Sequence, residues 1–161
     1  MMNRTMSLIL KALVVTGVFG CDSATIYNGT RQPAAVVTPR EQWSVKEANG
    51  VDSPELAFDG GNGAATTSTG YQGATLTIDL GKVCYFNEII VDHGPNEMGF
   101  AGRVAVSTSV DGKTFHKRFD GPGTRGVSIF SLVAPALARY VRLQVVYSGN
   151  EAWTLGEIYL R

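Results

Sequence analysis

Two histidines, His93 and His116, are the first candidates for acid–base chemistry in this sequence, because imidazole is the side chain that ordinarily titrates near neutral pH. His93 follows an apolar run, whereas His116 stands beside Lys117, as expected of a solvated strand. The sequence shows no nucleophile elbow, no metal-binding histidine pair and no phosphate-binding loop. Its carboxylates form no pair that is singled out for glycoside hydrolysis. We therefore expect a protein that is not an enzyme.

Composition limits the size and the partners of the fold. The chain has 161 residues, of which 44% are hydrophobic, so it is long enough for one domain with its own core. Charged residues make up 17% and their charges sum to zero. Since no broad positive field exists to neutralise phosphates, nucleic acid is not an expected partner.

Residues 1–20 are predicted to be a secretory signal peptide. An early charge at Arg4 precedes an apolar run that only Lys11 interrupts and that is too short to span a bilayer. Translation could also begin at Met6, in which case Lys11 would close the charged segment. The segment ends in Val-Phe-Gly-Cys at residues 18–21, which resembles the bacterial lipoprotein box. Acyl chains on Cys21 would then hold the protein on a membrane of the cell envelope. The alternative is an ordinary signal peptide with Cys21 within or just beyond it.

Residues 21–41 are polar, contain proline and show no sustained period, so we predict a tether. The remaining cysteine, Cys84, lies in an apolar strand sequence and is predicted to be a small buried hydrophobe. An acylated Cys21 could not pair with it.

Residues 42–161 alternate apolar and polar side chains in several short runs. The clearest run places Leu76, Ile78 and Leu80 in one row, and Gly81 is predicted to end that strand. A second strand begins at Val83, and its three consecutive β-branched residues at 89–91 suggest cover on both faces. The longest strand, residues 140–147, should bury its odd-numbered positions, Tyr147 included, and Pro135 is predicted to interrupt the chain before it. No window shows helical spacing, which predicts an all-β sandwich or barrel of about eight strands.

Six short segments occur in the order found in discoidin domains, also called coagulation factor V/VIII type C domains. They are AFDG at 57–60, TTST at 66–69, LTIDLGK at 76–82, SVDGK at 109–113, ARYVRL at 138–143 and WTLGEI at 153–158. The resemblance covers residues 43–161. It implies the galactose-binding-like jelly-roll β-sandwich of antiparallel strands, which this family shares with many carbohydrate-binding modules.

The resemblance also implies one structural Ca²⁺ between a glycine-rich loop and the last strand. Calcium takes six to eight oxygen ligands, which turning backbone and carboxylates can supply. The implied ligands are the side chains of Asp59, Glu157 and Thr66 and the carbonyls of Leu56, Gly61 and Gly156. The alternative needs no ion: Asp59 caps its own turn and Glu157 pairs with an arginine.

Related sugar-binding modules use a histidine, an arginine, an asparagine and an aromatic ring on loops at one end of the sandwich. A ring suits the apolar face of a hexose, and the polar groups select its hydroxyls. The candidates here are His93, Asn96, Arg125 and a ring from Phe100 or Trp153. The alternatives are that His93 caps a strand end and that Trp153 belongs to the core.

The resulting expectation is a non-catalytic module that binds a glycan, with galactose-type sugars first. The alternative function keeps the fold and makes the protein an adhesion or assembly domain. In that case Met98 and Phe100 would insert into a protein or envelope partner.

Overall fold

The computed structural model describes residues 24–27, 30–33, 37–67 and 71–161. Within these ranges the chain forms strands and two short 3-10 turns, Arg40–Gln42 and Pro54–Ala57, and no helix there is long and apolar enough to cross a membrane. The strands are β1 (Ala24–Tyr27), β2 (Thr30–Pro33), β3 (Ser44–Asn49), β4 (Ala65–Thr66), β5 (Thr75–Asp92), β6 (Arg103–Ser109), β7 (His116–Gly121), β8 (Val127–Tyr147), β9 (Thr154–Leu155) and β10 (Glu157–Leu160). The predicted signal peptide and Cys21 lie outside the described residues.

The predicted tether contains structure of its own. Strands β1 and β2 pair antiparallel as a short hairpin. The packed domain also begins earlier than residue 42, because the Thr38 hydroxyl donates to the Leu80 carbonyl at 2.6 Å and Trp43 Nε1 donates to the Thr38 carbonyl at 3.1 Å. These contacts fix the chain where it enters the sandwich.

Two long antiparallel strands, β5 and β8, organise the sandwich. The first half of β5 and the second half of β8 pair with each other and with β3 and β6, and β7 extends that layer. The second half of β5 and the first half of β8 form the other layer with β10. One hydrophobic cluster contains inward side chains from both halves, so the layers face a common core. This arrangement confirms the predicted antiparallel β-sandwich of about eight strands.

The alternation of the sequence predicts the core well. Leu76, Ile78 and Leu80 are all buried, as are Val141 and its inward neighbours on β8. The prediction for Cys84 is also confirmed, since its side chain is fully buried within the hydrophobic cluster. Each inward row packs against the row of the opposite layer, which is where the stabilisation from apolar burial arises.

Four details of the predicted strands are wrong. Gly81 does not end a strand, because its φ of +81° lets β5 bend and the ladder with β8 resumes at Cys84. Strand β8 likewise continues through Pro135, which lies where residues 132–135 have no cross-strand partner, so the missing N–H costs no ladder bond. Tyr147 is exposed instead of buried, and Ile90 is half-buried on the outer face beside Tyr159.

Candidate functional site

Main-chain hydrogen bonds hold several loops together at one end of the sandwich. The amide of His93 donates to the Gly126 carbonyl at 2.9 Å, and the amide of Gly126 donates to the Glu97 carbonyl at 2.9 Å. The amide of Thr154 donates to the Gly99 carbonyl at 2.7 Å. Residues 94–102, 121–126 and 148–153 are therefore fixed relative to one another. Loops that a scaffold fixes in this way can present side chains for recognition.

His93 lies beneath these loops, with 0% of its surface exposed. Its Nδ1 is 2.7 Å from the Thr154 carbonyl oxygen, and its Nε2 is 2.9 Å from the Ser128 hydroxyl oxygen. Because a carbonyl can only accept, Nδ1 carries the proton and Nε2 accepts from Ser128. Burial lowers the pKa of His93, against the opposing effects of the Thr154 carbonyl and Asp92, which favours this neutral form.

The structure thus corrects the prediction that His93 touches a ligand. Both ring nitrogens are engaged by Thr154 and Ser128, and the ring is out of reach of solvent. The prediction for Trp153 as a binding platform is corrected in the same way, because that side chain is 3% exposed and belongs to the core cluster. Trp153 is thus a core residue, as its alternative interpretation has it, and His93 lies directly after the end of β5, as a strand-end residue would.

Asn96 and Phe100 lie on the first of the three loops and are half-buried. Asn96 Nδ2 donates to the Thr154 hydroxyl at 3.2 Å, which orients the amide. The Phe100 ring rests against the His93 ring, with 6.5 Å between their centroids. A Cβ added at Gly149 would lie 2.3 Å from the Phe100 carbonyl oxygen, so the third loop packs closely on the first.

Arg125 lies on the second loop and is the most open of the predicted sugar-binding residues, with 69% of its side chain exposed. Its Nε and Nη2 contact Glu97 Oε2 at 3.0 and 2.9 Å. An ion pair this exposed adds little stability, but it orients the guanidinium above the loops. Asn96, Met98, Phe100 and Arg125 together form what we call the end-loop surface, in which Met98 is an exposed side chain.

Four residues of this region were not among the predicted site residues. Ser128, Thr154 and Glu97 position the predicted ones, but their role depends on contacts across 28 to 61 residues of sequence that no local pattern reveals. The fourth, Tyr147, is exposed and its ring packs on Gly102, where an added Cβ would lie 2.7 Å from Cδ1. The strand alternation placed Tyr147 in the core and so concealed it.

Four of the predicted calcium ligands line two recesses, and one of these recesses also contains Gly94 and Pro95 of the first loop. Gly61, Gly156 and Glu157 line one recess of about 330 Å³, and Asp59 lines a second recess of about 330 Å³ together with Arg40. Leu56 lies in the 3-10 turn that precedes Asp59, and Thr66 pairs with Thr154 in the β4–β9 ladder. Among the described residues, no hydrogen bond or ion pair joins Thr66 to Asp59 or Glu157. Neither of these two recesses is lined by the end-loop surface.

Asp59 and Glu157 make the contacts that the ion-free interpretation predicts. Asp59 Oδ1 accepts the Gly61 N–H at 2.7 Å, and Glu157 Oε2 pairs with Arg40 Nη1. Glu157 Oε1 is buried without a partner. Burial raises the pKa of Glu157, the Arg40 charge and the Gly60 N–H oppose this, and the Asp59 charge adds to it.

These groups fit a calcium ion in part. The unpaired Glu157 Oε1 and the nearby Asp59 carboxylate are the hard oxygens that Ca²⁺ prefers. In the ranges that the structure describes, however, no three His, Cys, Asp or Glu side chains come together as a metal cluster. An ion at this place would depend on main-chain carbonyls for most of its ligands.

Comparisons with solved structures agree with this architecture. A CBM32 module from a family 31 glycoside hydrolase of Clostridium perfringens superposes with a TM-score of 0.68 at 17% identity, covering 78% of this chain and 94% of that chain. A second C. perfringens module, in complex with GalNAc-β-1,3-galactose, gives 0.67 at 17% identity, covering 76% and 96%. The family 32 module of C. perfringens NanJ, in complex with galactose, gives 0.64 at 16% identity, covering 78% and 97%. At these identities the likeness shows the fold.

Sequence comparison extends the match from fold to family. No curated protein sequence matches the chain. The family model described as F5/8 type C domain matches residues 38–158, which is most of the chain and includes both long strands, the end loops and Glu157. Its start at residue 38 agrees with the contacts that fix Thr38 to Leu80. The chain belongs to the F5/8 type C domain family.

Proposed function

We propose that this domain binds carbohydrate without transforming it, and that galactose-type sugars are its first candidates. The observation that carries the proposal is the end-loop surface, where a half-buried ring, an oriented amide and an exposed guanidinium are held on cross-linked loops. Two structurally similar modules are described in complex with galactose or a galactose-containing disaccharide, which supports the same class of ligand.

The proposed mechanism combines stacking with directed hydrogen bonds. Phe100 offers its ring to the apolar face of a hexose, and Arg125 retains donors that Glu97 does not use. Asn96 commits Nδ2 to Thr154, so its carbonyl oxygen is the group proposed to accept from a sugar hydroxyl. Tyr147 supplies a second exposed ring close to the same loops. The proposed contact is a shallow one, so single-site affinity should be weak and should gain from display of many copies.

A glycan array followed by calorimetric titration with galactose tests this proposal. Phe100→Ala should weaken binding about tenfold or more through loss of stacking. Phe115→Ala is the matched control, because that ring stacks on Arg142, 3.8 Å from the guanidinium carbon, and takes no part in the end-loop surface. Equal binding by both variants would contradict the assigned surface, and silence across all glycans would contradict the function.

A protein or envelope partner is the second candidate. The exposed Met98 beside Phe100 is the observation that favours it, since a flexible, exposed apolar side chain can pack against a partner surface. Met98→Ala should then abolish partner binding, whereas a sugar that stacks on Phe100 should be little affected.

We also propose that the domain is displayed on the cell envelope through acylated Cys21, and that Ca²⁺ is structural. The ion would be held by the Asp59 and Glu157 carboxylates and by Thr66, with main-chain oxygens of Leu56, Gly61 and Gly156. Metabolic labelling with a fatty acid should mark the wild type but not Cys21→Ala. Added Ca²⁺ should raise the thermal unfolding midpoint of the purified protein, and an unchanged midpoint would argue against the ion.

A further inference from the structure

Arg40 lies against Glu157, one of the two carboxylates that are proposed to hold Ca²⁺. The guanidinium pairs with Glu157 Oε2, and its central carbon lies 4.7 Å above the Tyr159 ring. Glu157 and Tyr159 are alternate residues of β10, so Arg40 lies along one face of that strand. An added Cβ at Gly60 would be 3.7 Å from Arg40 Nη2, which places the guanidinium beside the loop that carries Asp59.

The pair leaves Glu157 only partly satisfied. One carboxylate oxygen pairs with Arg40, while Oε1 is buried without a partner, and a second carboxylate, Asp59, is close enough to influence it. Arg40 pairs with Glu157, and it also lines the recess that contains Asp59. A divalent ion would offer twice the charge of Arg40 and further coordination positions, whereas an unpaired buried oxygen costs free energy.

The arginine is also able to leave. Its side chain is 30% exposed, against 13% for Glu157, so it can move into solvent without opening the core. It belongs to the 3-10 turn Arg40–Gln42, at the point where the chain enters the domain. Removal of its charge from Glu157 would need no rearrangement of the strands.

We propose that Arg40 is a built-in competitor of Ca²⁺ for Glu157, so that calcium binding and the Arg40 ion pair exclude each other. The inference rests on the proposed calcium site and is independent of the sugar surface. It implies that the ion is bound weakly by the wild type, and that its binding releases the arginine at the entry of the domain. By thermodynamic linkage, the factor by which the Arg40–Glu157 ion pair weakens calcium binding equals the factor by which bound calcium weakens the ion pair.

The test is a calorimetric titration of CaCl₂ into purified protein, together with thermal unfolding in EDTA and in Ca²⁺. Arg40→Gln should bind Ca²⁺ about tenfold tighter than the wild type, because one partly buried opposing charge has been removed. In EDTA, Arg40→Gln should unfold at a lower temperature than the wild type. Added Ca²⁺ should raise the unfolding temperature of Arg40→Gln by more than that of the wild type. Arg40→Lys keeps a charge without the forked donors and should fall between the two.

Arg161→Gln is the matched control, because Arg161 follows β10 and pairs with Glu88, not with Glu157. It removes the same charge near the same strand and should leave calcium affinity within about twofold of the wild type, since an exposed pair is largely screened. Equal or weaker binding by Arg40→Gln would overturn the competition. Absence of calcium binding in every variant would overturn it together with the calcium proposal, while galactose binding measured in EDTA would still report on the sugar surface alone.

Discussion

His93→Leu is the substitution that best tests how the end loops are held. Leucine fills a similar volume, so the main loss is the hydrogen bond to the Thr154 carbonyl at 2.7 Å. Ser128 keeps partners, because its hydroxyl oxygen accepts the Thr124 N–H at 2.9 Å and can donate to the Thr124 carbonyl at 3.2 Å. One buried carbonyl deprived of its donor costs about 1–3 kcal/mol of unfolding free energy. We therefore expect His93→Leu to lower the free energy of unfolding by about 2 kcal/mol at pH 8.

The same variant should change the pH dependence of stability. Burial lowers the pKa of His93 in the folded protein, while the unfolded chain titrates at about 6.5, the ordinary value for histidine. The folded state therefore binds fewer protons than the unfolded state. The contribution of neutral His93 to the free energy of unfolding is complete above about pH 6.5 and declines as the pH falls toward the folded pKa. Over that window the wild type should lose up to about 1.4 kcal/mol per pH unit relative to His93→Leu.

Urea denaturation between pH 8 and pH 5 measures both quantities, and the buried Trp43 and Trp153 provide the fluorescence signal. The free-energy gap between wild type and His93→Leu should narrow below about pH 6.5. His116→Leu, which removes an exposed histidine, is the control and should change stability by less than about 0.5 kcal/mol at pH 8. A gap that stays constant across the whole range, or widens toward acid, would refute the neutral, buried His93 described here.

One further substitution and one titration test contacts within the loops and turns. Gly149→Ala would place a Cβ 2.3 Å from the Phe100 carbonyl oxygen, so the two loops must separate. Urea denaturation should show that the free energy of unfolding falls by about 1–3 kcal/mol, and sugar binding should weaken. Unchanged stability would mean that the loops are not in contact. The amides of Lys113 and Thr114 and the Ser109 hydroxyl lower the pKa of Asp111 to about 2. Its contribution to stability should therefore be complete above about pH 4, where the unfolded chain titrates, and be lost as the pH falls from about 4 to about 2. An NMR titration of the carboxyl with an unshifted midpoint would contradict this.

The layers of the fold could be predicted because burial imposes a local period. Leu76, Ile78 and Leu80 alternate with polar residues, and the structure buries all three. The continuity of β5 could not be predicted in this way. In the sequence, Gly81 indicates the end of a strand, yet in the structure its positive φ only bends β5. The strand continues because it pairs again with residues of β8, which lie more than 50 residues later in the sequence.

The candidate site shows the same division between local and distant information. That His93, Phe100 and Arg125 would share one region follows from the loops that carry them, and the structure brings these loops together. Whether His93 faces a ligand or the interior depends on Ser128 and Thr154, which are 35 and 61 residues away. The pairing of Arg40 with Glu157 spans 117 residues and is equally invisible to a local pattern.

Strands β5 and β8 belong to both layers of the sandwich, and this couples the unfolding of one layer to that of the other. Since each layer shares these two strands with the other, we expect the layers to unfold together. Main-chain amides in the middle of these two strands should exchange with deuterium only through global unfolding. The loops that carry the end-loop surface are thus anchored to the last part of the molecule to come apart.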